Sequence, residues 1–394
     1  MPAEPGSVEG PPTEATVTGL LRRLLTATPP ASTDETVFLE RQFDLGLAWV
    51  QFPVGSGGLG ASRSLQAVVR RVLTQAGAPT QDEYLRNALG VGMIAPALVE
   101  HGHREQWNRW LRPLFTGAEI WCQLFSEPGA GSDIAALTTR AVREGGEWVV
   151  NGQKIWTTAA HRARRGLLLA RTDPQAPRHR GLTAFVVDMG APGVEVRPLR
   201  QIDGSAHLNE VFFTDLRVPD ADRIGGEGEG WQVALTILMN ERVSIGGGVA
   251  DEGGGAIAEA IELWHRTAVR DDVMRDRLVR LWIQAESARL LNLRAAHNYD
   301  TNVPGPEGSI AKLVYAQLKQ QVYELCLDLK GPRGMLFGSY NMHHPEDHVP
   351  DDFEIQRRYL FARGDSIGGG SSEVMRNILG ERVLGLPKEP RPAG

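Results

Sequence analysis

The spacing of apolar residues changes twice along the chain. In residues 16–116 they recur every three or four positions, which is typical of amphipathic helices. In residues 119–219 they form short runs that are rich in branched and aromatic side chains and bounded by Pro, Gly or Asp, which predicts β-strands. From residue 230 the helical spacing returns, most clearly in residues 255–300 and 309–330. This order predicts an α+β protein whose helices and strands occupy separate parts of the chain.

A chain of 394 residues is too long for one simple core, so several domains are expected. The boundaries follow the changes in spacing: an N-terminal helical domain at 16–117, a central antiparallel β domain at 118–225 and a C-terminal helical bundle at 226–394. Residues 1–15 are rich in Pro, Gly and Glu, with neither a basic nor an apolar segment. We therefore expect a disordered tail there rather than a signal peptide.

Local signals place individual elements. Ser32 and Glu35 have the spacing of a capping box, which predicts a helix start. The helical pattern over 83–115 is expected to break at its glycines and at Pro113. Asn151-Gly152 lies between two apolar runs and predicts a β-hairpin turn, because both positions of such a turn need positive φ. Further strands are predicted at 166–171, 182–188, 194–197 and 211–218.

Residues 55–60 match the G-x-G-x-x-G pattern of dinucleotide-binding loops. Pro53 would then lie in the central first strand, where proline is poorly tolerated, and no second βαβ unit follows. The acid at the ribose-binding spacing is Asp82, which comes just before a helical pattern. We therefore expect a turn between helices at residues 55–60.

Composition argues against several classes of protein. The net charge of −6 does not suit a nucleic-acid surface, which would need a basic face. No run of about 18 apolar residues occurs, so no membrane span is expected. Cys122 and Cys326 alone make neither a disulfide framework nor a zinc site, and a cytoplasmic location fits best. The segment 343–352, with its histidines and acids, is expected to be a solvated polar loop, so no metal ion is expected.

Three segments carry a specific resemblance. Residues 123–133 (QLFSEPGAGSD), 151–158 (NGQKIWTT) and 368–386 (GGGSSEVMRNILGERVLGL) resemble segments of the acyl-CoA dehydrogenase family in their order and spacing. The likeness extends over nearly the whole chain from residue 16. It implies the family fold, one FAD between the β domain and the C-terminal helices, and dehydrogenation across the α,β carbon–carbon bond of an acyl-CoA thioester. Electron-transfer flavoprotein is the implied electron acceptor, and a homodimer or homotetramer is the implied assembly.

Motif position assigns the cofactor contacts that the resemblance implies. Phe125 and Ser126 are expected to contact the isoalloxazine. Trp156 is expected to lie against that ring, and Thr158 to hydrogen-bond near N5. A flavin needs hydrogen-bond donors near N5 and N1 and an apolar plane that keeps water away. The remaining contacts are Ser132, which faces the CoA arm or the cofactor phosphates, and Ser371, which reaches the adenosine half of FAD.

The family places its catalytic glutamate at one of two positions. The commoner one corresponds here to Gly369, which has no carboxylate, although its backbone N–H could polarise the thioester carbonyl. The other lies on the helix that opens the C-terminal domain, where Glu241 occurs in the sequence LMNER. The resemblance thus implies that Glu241 removes the α-proton and flavin N5 accepts the β-hydride, with Arg242 as a substrate contact. A surface ion pair of Glu241 and Arg242 is the simpler alternative, which the missing carboxylate at Gly369 disfavours.

One part of the family pattern is missing. In the family a basic residue followed by Phe-Gly reaches the FAD of the partner subunit, whereas Arg266 is followed here by TAVR. Arg266 is retained as a phosphate contact to FAD. The departure leaves open a heteromer in which this chain is a partly non-catalytic subunit, and an oxidase or reductase on the same scaffold is a further alternative. The glycines at 246–248 predict an acyl pocket wide enough for branched or ring-bearing groups.

Overall fold

The computed structural model describes residues 11–79, 87–245, 252–267, 271–300, 305–344 and 353–388. Their contacts form two compact units. The first comprises the described residues of Met1–Arg197 and Leu208–Ile237, and the second those of Pro198–His207 and Leu238–Gly394. The domain boundaries inferred from the spacing of apolar residues stay a prediction.

The first unit begins with helices that bury one apolar face. They are α1 (Glu14–Ala27), α2 (Glu35–Asp44), α3 (Leu65–Gln75), α4 (Ala95–His101) and α5 (Arg104–Thr116). The helix start expected near residue 35 is confirmed, but Asp34 rather than Ser32 caps it. The Asp34 carboxylate accepts hydrogen bonds from the Thr36 and Val37 amides at 2.9 and 3.3 Å, which satisfies two amides that have no partner within the helix.

Pro113 lies inside α5, so the predicted break at this residue is wrong. Proline removes one backbone hydrogen bond from a helix. The residues around it, Trp110, Leu111 and Leu114, are buried in the core of the first unit. Burial of this face stabilises the helix against the lost bond, because tertiary packing rather than propensity supplies most helical stability.

The glycine-rich segment 55–60 is a turn between α2 and α3, as expected. Gly55, Gly57 and Gly60 all have positive φ, of 88°, 83° and 65°. The Gly57 carbonyl accepts hydrogen bonds from the Ala48 and Trp49 amides, both at 3.1 Å. This segment therefore closes a loop and does not follow a β-strand, which a dinucleotide-binding loop requires.

The first unit also holds one mixed sheet. Its strands are β1 (Trp121–Leu124), β2 (Arg140–Glu144), β3 (Glu147–Thr158), β4 (Arg165–Arg171), β5 (Leu182–Asp188), β6 (Val194–Leu199), β7 (Leu208–Pro219) and β8 (Arg223–Ile224). The order is β6-β7-β3-β2-β4-β5-β8, and β1 pairs with β4. Most pairs are antiparallel, as predicted, whereas β1 and β2 each run parallel to β4. Strands are confirmed at all four segments predicted after residue 165.

The hairpin turn predicted at Asn151-Gly152 is wrong, because β3 runs through both residues. The turn between β2 and β3 lies at Gly145-Gly146 instead, as the pairing of Glu144 with Glu147 shows. Between Val150 and Gly152 the register with β7 shifts by one residue, because Thr214 and Asp215 of β7 lie opposite Asn151 alone; this is a β-bulge in β7, where Asp215 has a φ of 50°. The Asn151 side chain hydrogen-bonds to Asp215, so Asn151-Gly152 lies opposite a bulge instead of forming a turn.

The second unit is mainly helical, as expected for the C-terminal part. Its helices are the end of α6 (Gly230–Ile245), α7 (Ala256–Arg266), α8 (Asp272–Asp300), α9 (Glu307–Lys330), α10 (Glu354–Phe361) and α11 (Ser372–Ile378). Apolar residues of α7 and α9, including Ile257, Val322 and Cys326, share its core. Across the described residues, no helix is long and apolar enough to cross a membrane.

Candidate active site

The two segments of the first unit that were predicted to bind a flavin lie side by side. The Ile155 amide donates a hydrogen bond to the Ser126 carbonyl at 2.9 Å. The Lys154 ammonium group donates to the Phe125 carbonyl at 3.0 Å. Strand β3 therefore holds the loop that follows β1, which brings Phe125 and Ser126 next to the strand that carries Trp156.

A buried ion pair fixes this loop. Lys154 is 0% exposed, and its Nζ lies 2.8 Å from Glu127 Oε1. The same carboxylate accepts hydrogen bonds from the Thr138 amide and hydroxyl and from the Thr139 amide at 2.6–2.9 Å. Burial raises the pKa of Glu127, but the charge of Lys154 and these hydrogen bonds outweigh it and lower the pKa to about 2. Burial lowers the pKa of Lys154 to about 8, so both partners are charged at neutral pH.

Trp156 projects from a β-bulge next to this pair. The register between β3 and β7 shifts between Lys154 and Thr157, so Ile155 and Trp156 lie opposite one residue of β7. Trp156 has a φ of 61°, which is rare for a residue with a side chain. It is nevertheless 58% exposed, unlike most tryptophans of the unit. The bulge therefore presents a flat aromatic ring to solvent, an arrangement that often marks a binding site.

Hydroxyl groups accompany this ring. Ser126 and Thr158 are both half-buried. Thr158 is two residues after Trp156 in the chain, and the Ser126 carbonyl accepts a hydrogen bond from the Ile155 amide, next to Trp156. Ser132 is exposed in the loop after Ser126, beside Asp133, which pairs with Arg178 at 3.0 Å. An exposed aromatic plane with hydroxyl-bearing residues in the same and the adjacent segment suits the isoalloxazine of a flavin. The residues present in the first unit thus fit the cofactor that the sequence predicts.

Glu241 lies near the end of α6, in the part that belongs to the second unit, and is half-buried. Its charge acts on Lys312 of α9. Burial lowers the pKa of Lys312, and the carboxylates of Asp365, Glu241 and Glu373 offset part of this effect. The predicted base is therefore within electrostatic range of a buried cation.

Lys312 also binds the glycine run that contains Gly369. Its Nζ donates hydrogen bonds to the carbonyl oxygens of Asp365 and Gly370 at 2.9 and 2.5 Å. Gly369 and Gly370 have φ values of 67° and 90°, so the run adopts a conformation that favours glycine. Ser371 then caps α11, with its hydroxyl oxygen accepting from the Val374 amide at 3.3 Å. The helix expected after the run is confirmed, and the Ser371 hydroxyl hydrogen can still donate to a ligand.

The remaining predicted residues are placed as follows. Arg266 ends α7, is exposed and forms an ion pair with Glu262. The side chain of Arg242, the glycines 246–248 and most of the 343–352 loop lie outside the described residues.

Sequence reasoning missed three residues of this arrangement, namely Glu127, Lys154 and Lys312. Each lies within a segment that is otherwise apolar or glycine-rich. Lys312 in particular interrupts the run IAKLVY on a helix. A lysine between apolar neighbours on a buried face is uncommon unless its charge has partners. This signal could have indicated that Lys312 is buried and paired, but not which groups it pairs with.

Comparison with known families adds the context for this geometry. Family models match in chain order: the acyl-CoA dehydrogenase N-terminal domain at residues 28–118, the middle domain at 122–216 and the C-terminal domain at 228–384. Together these ranges include every residue that was assigned a role from the sequence.

Individual relatives agree. Acyl-CoA dehydrogenase IpdE1 of Mycobacterium tuberculosis is 38% identical over 355 residues, which are 88% of this chain and 86% of that protein. The mitochondrial short-chain specific acyl-CoA dehydrogenase of Homo sapiens is 29% identical, covering 86% of this chain and 80% of that protein. The solved structure of the ChsE4-ChsE5 complex from Mycobacterium tuberculosis is similar with a TM-score of 0.71 and 25% identity, covering 98% of this chain and 100% of that one.

Proposed function

Because the chain belongs to the acyl-CoA dehydrogenase family, we propose that Glu241 is the base that removes the α-proton of an acyl-CoA thioester. Members of this family are FAD-dependent oxidoreductases that act on CH–CH bonds, and acyl-CoA dehydrogenation is the reaction class of this chain. When bound, FAD supplies the acceptor for the hydride that leaves the β-carbon. The task of the protein is to orient the thioester, exclude water and take the α-proton.

The observation that supports Glu241 is its relation to Lys312. Lys312 donates a hydrogen bond to the Gly370 carbonyl of the glycine run, and it also interacts electrostatically with Glu241. The run carries one of the two family positions for the base, and Glu241 occupies the other. Since Gly369 has no carboxylate, Glu241 is the residue at these positions that can accept a proton.

The other carboxylates near Lys312 suit the role less well. Asp365 is paired with Lys319 at 2.9 Å, and both side chains are largely buried. Glu373 lies in the first turn of α11, where it is exposed and pairs with Arg376 at 3.4 Å. A general base needs a site with little water and a carboxylate that a substrate can reach. Glu241 is half-buried, so it is less solvated than Glu373, and it stands at a family position for the base, which Asp365 does not.

The chain's residues would then divide the work of binding. In the first unit, Trp156 offers the apolar plane, Phe125 and Ser126 offer backbone and hydroxyl contacts, and Thr158 offers a donor near flavin N5. The Gly369 amide would polarise the thioester carbonyl. The remaining proposed contacts are Ser132 and Arg242 to the substrate, and Ser132, Arg266 and Ser371 to the cofactor.

The acyl group is proposed to be branched or ring-bearing. The proposal rests on the glycines 246–248, since consecutive glycines are costly in a helix and suggest a need for space. Heptanoyl-CoA and cyclohexanecarboxyl-CoA have the same number of carbons and make a matched pair. We expect the ring-bearing thioester to bleach the flavin faster. A clear preference for the linear one would remove this part of the proposal.

Assembly is proposed to matter for flavin retention. The chain has lost the Phe-Gly that follows the basic residue in the family, so less of the protein would hold a cofactor near Arg266. We propose a homodimer or homotetramer that passes electrons to an electron-transfer flavoprotein and loses FAD readily on dilution. Size-exclusion chromatography at falling protein concentration, with flavin absorbance recorded, tests this. Stable flavin-bound monomers would contradict it.

Two outcomes would favour the alternatives instead. Co-purification with an unlike chain of the same family would indicate a heteromer, the assembly that the name of the ChsE4-ChsE5 relative describes. Oxygen consumption during turnover would indicate an oxidase.

The central test is Glu241→Gln. The variant keeps the shape of the side chain and loses its proton affinity, so it should fold and bind FAD as the wild type does. Thioester should bind, but flavin bleaching should slow by about 10²–10⁴-fold, which is the usual contribution of a positioned base. Glu144→Gln, at an exposed residue of β2, is the matched control and should bleach normally. Near-normal bleaching by Glu241→Gln would show that the base is another residue.

A further inference from the structure

Lys312 is a buried lysine for which the proposed reaction has no direct use. Only 1% of it is exposed. Its ammonium group donates to the Asp365 carbonyl at 2.9 Å and to the Gly370 carbonyl at 2.5 Å. These two carbonyls bracket the segment that contains Gly369. One cation thus holds both ends of the segment 365–370, which contains the glycine run.

The glycine run needs such a restraint. Glycine loses more conformational freedom on folding than any other residue, and Gly369 and Gly370 both adopt positive φ here. The three glycines have no side chains that could fix the conformation of the run. Lysine offers three donors on one cationic group, and carbonyl oxygens are the partners that make a buried ammonium tolerable.

The charges around Lys312 come from three elements. Asp365 lies in the short 3-10 turn Gly364–Ser366, Glu241 on α6 and Glu373 on α11, and all three carboxylates act on Lys312. Asp365 is also paired with Lys319, and Glu373 with Arg376. Asp365 has the largest charge effect on Lys312, followed by Glu241 and Glu373, so Lys312 interacts with all three carboxylates.

We propose that Lys312 is a positioning residue of the active site, which holds the segment 365–370 through the Asp365 and Gly370 carbonyls and places its positive charge within electrostatic range of the Glu241 carboxylate. This inference rests on the proposed role of Glu241 as the base. A base accepts a proton only when it is ionised, and a nearby cation extends that state to lower pH. Lys312 would thereby couple the conformation of the segment that carries Gly369 to the ionisation of Glu241.

The test compares Lys312→Met, Lys312→Gln and Lys319→Met as flavin-bound proteins. The rate of flavin bleaching is measured from pH 5 to 9 with heptanoyl-CoA or cyclohexanecarboxyl-CoA, whichever the wild type uses faster. Removal of the cation makes Glu241 harder to ionise, so the acid limb of the Lys312→Met profile should move to higher pH. On the acid side of that limb the rate should fall about tenfold for each pH unit of the shift, since each pH unit is tenfold in the ionised fraction.

Lys312→Gln separates the two roles and covers the case in which Lys312→Met does not fold. Its amide can still donate to a carbonyl, so the glycine run should be held better than in Lys312→Met. It lacks the charge, so its acid limb should move as far. Lys319→Met removes a cation two turns further along α9 that pairs with Asp365, and its limb should stay in place.

Two results would overturn the inference: a wild-type acid limb in Lys312→Gln, or an equal shift in Lys319→Met. The proposed function fails by a different measurement, which is normal bleaching by Glu241→Gln with Lys312 intact. The two failures can therefore be told apart.

Discussion

Lys154 and Glu127 form an ion pair inside the first unit, with 2.8 Å between Nζ and Oε1 and side chains that are 0% and 5% exposed. Lys154 belongs to β3 and Glu127 to the loop after β1. The pair therefore connects the two segments to which the proposed flavin contacts Phe125 and Trp156 belong. Because both charges are buried, removal of one partner should destabilise the fold, since the remaining charge would be left buried with neither a partner nor hydration.

Removal of either partner should destabilise the protein strongly. Lys154→Met and Glu127→Gln should each lower the free energy of unfolding by about 3–5 kcal/mol, as loss of one member of a buried pair does. The double variant should lose less than the sum, because no unpaired charge remains in it. Urea unfolding of the flavin-free proteins measures this. Additive losses would contradict the prediction, and Glu195→Gln, in an exposed pair with Arg197, should leave the urea midpoint unchanged.

The same pair should govern stability in acid. The pKa of Glu127 is lowered from 4.5 to about 2, so the folded protein binds this proton less tightly than the unfolded chain. Its contribution is complete above pH 4.5 and is lost as pH falls towards 2, in total about 3 kcal/mol. Urea midpoints measured between pH 5 and 2.5 should fall more steeply for the wild type than for Glu127→Gln. Parallel slopes would contradict this assignment.

The sequence predicts the order of helices and strands well, because spacing depends on which face of an element is buried. It fails where long-range contacts decide a local structure. Pro113 remains in a helix because Trp110 and Leu114 bury its face. Asn151-Gly152 stays within a strand because β7 pairs alongside it. The segments that carry Trp156 and Ser126 could be found by resemblance. The hydrogen bonds of Lys312 to its two carbonyl partners could not be predicted, because those partners are more than 50 residues away in the chain.

Gly152→Ala tests whether residue 152 lies in a packed strand and not in a turn. A Cβ at this position would lie 2.4 Å from Thr139 Oγ1 and 2.7 Å from Thr139 Cα, in a backbone conformation that disfavours side chains. Overpacking of this kind should cost about 1–3 kcal/mol in the free energy of unfolding. The control is Gly145→Asn in the true hairpin turn, where nothing lies within 4 Å and asparagine tolerates positive φ. A lower urea midpoint for the Gly145 variant than for Gly152→Ala would contradict this assignment of turn and strand.

Trp156→Gly should separate stability from cofactor binding. The indole is 58% exposed, so little burial is lost, and glycine relieves a φ of 61° that costs other residues about 1–2 kcal/mol. The flavin-free protein should therefore unfold within about 1 kcal/mol of the wild type, since glycine also adds entropy to the unfolded chain. FAD affinity, measured by fluorescence titration, should fall about tenfold for the lost aromatic contact. Trp156→Phe should retain most of the affinity. Unchanged FAD binding by Trp156→Gly would remove this residue from the cofactor site.

A carboxylate restored at Gly369 should replace a missing Glu241 in part. In the family both positions serve the same α-carbon, so Gly369→Glu in the Glu241→Gln background should recover a measurable fraction of the bleaching rate. Recovery should be incomplete, because φ is 67° at Gly369 and a left-handed backbone costs glutamate about 1–2 kcal/mol. Stopped-flow bleaching with the faster of the two thioesters measures it.

The neighbouring residue supplies the control for this rescue. Gly368→Glu places the same carboxylate one residue earlier, where the nearest atom to an added Cβ is the Gly364 carbonyl oxygen at 3.6 Å, so the side chain is accommodated. It should restore nothing, since consecutive residues point their side chains in different directions. Equal recovery from both positions would mean that any added carboxylate suffices. No recovery from a folded, flavin-bound Gly369→Glu variant would mean that Gly369 does not face the α-carbon, and the role proposed for its amide would then fail as well.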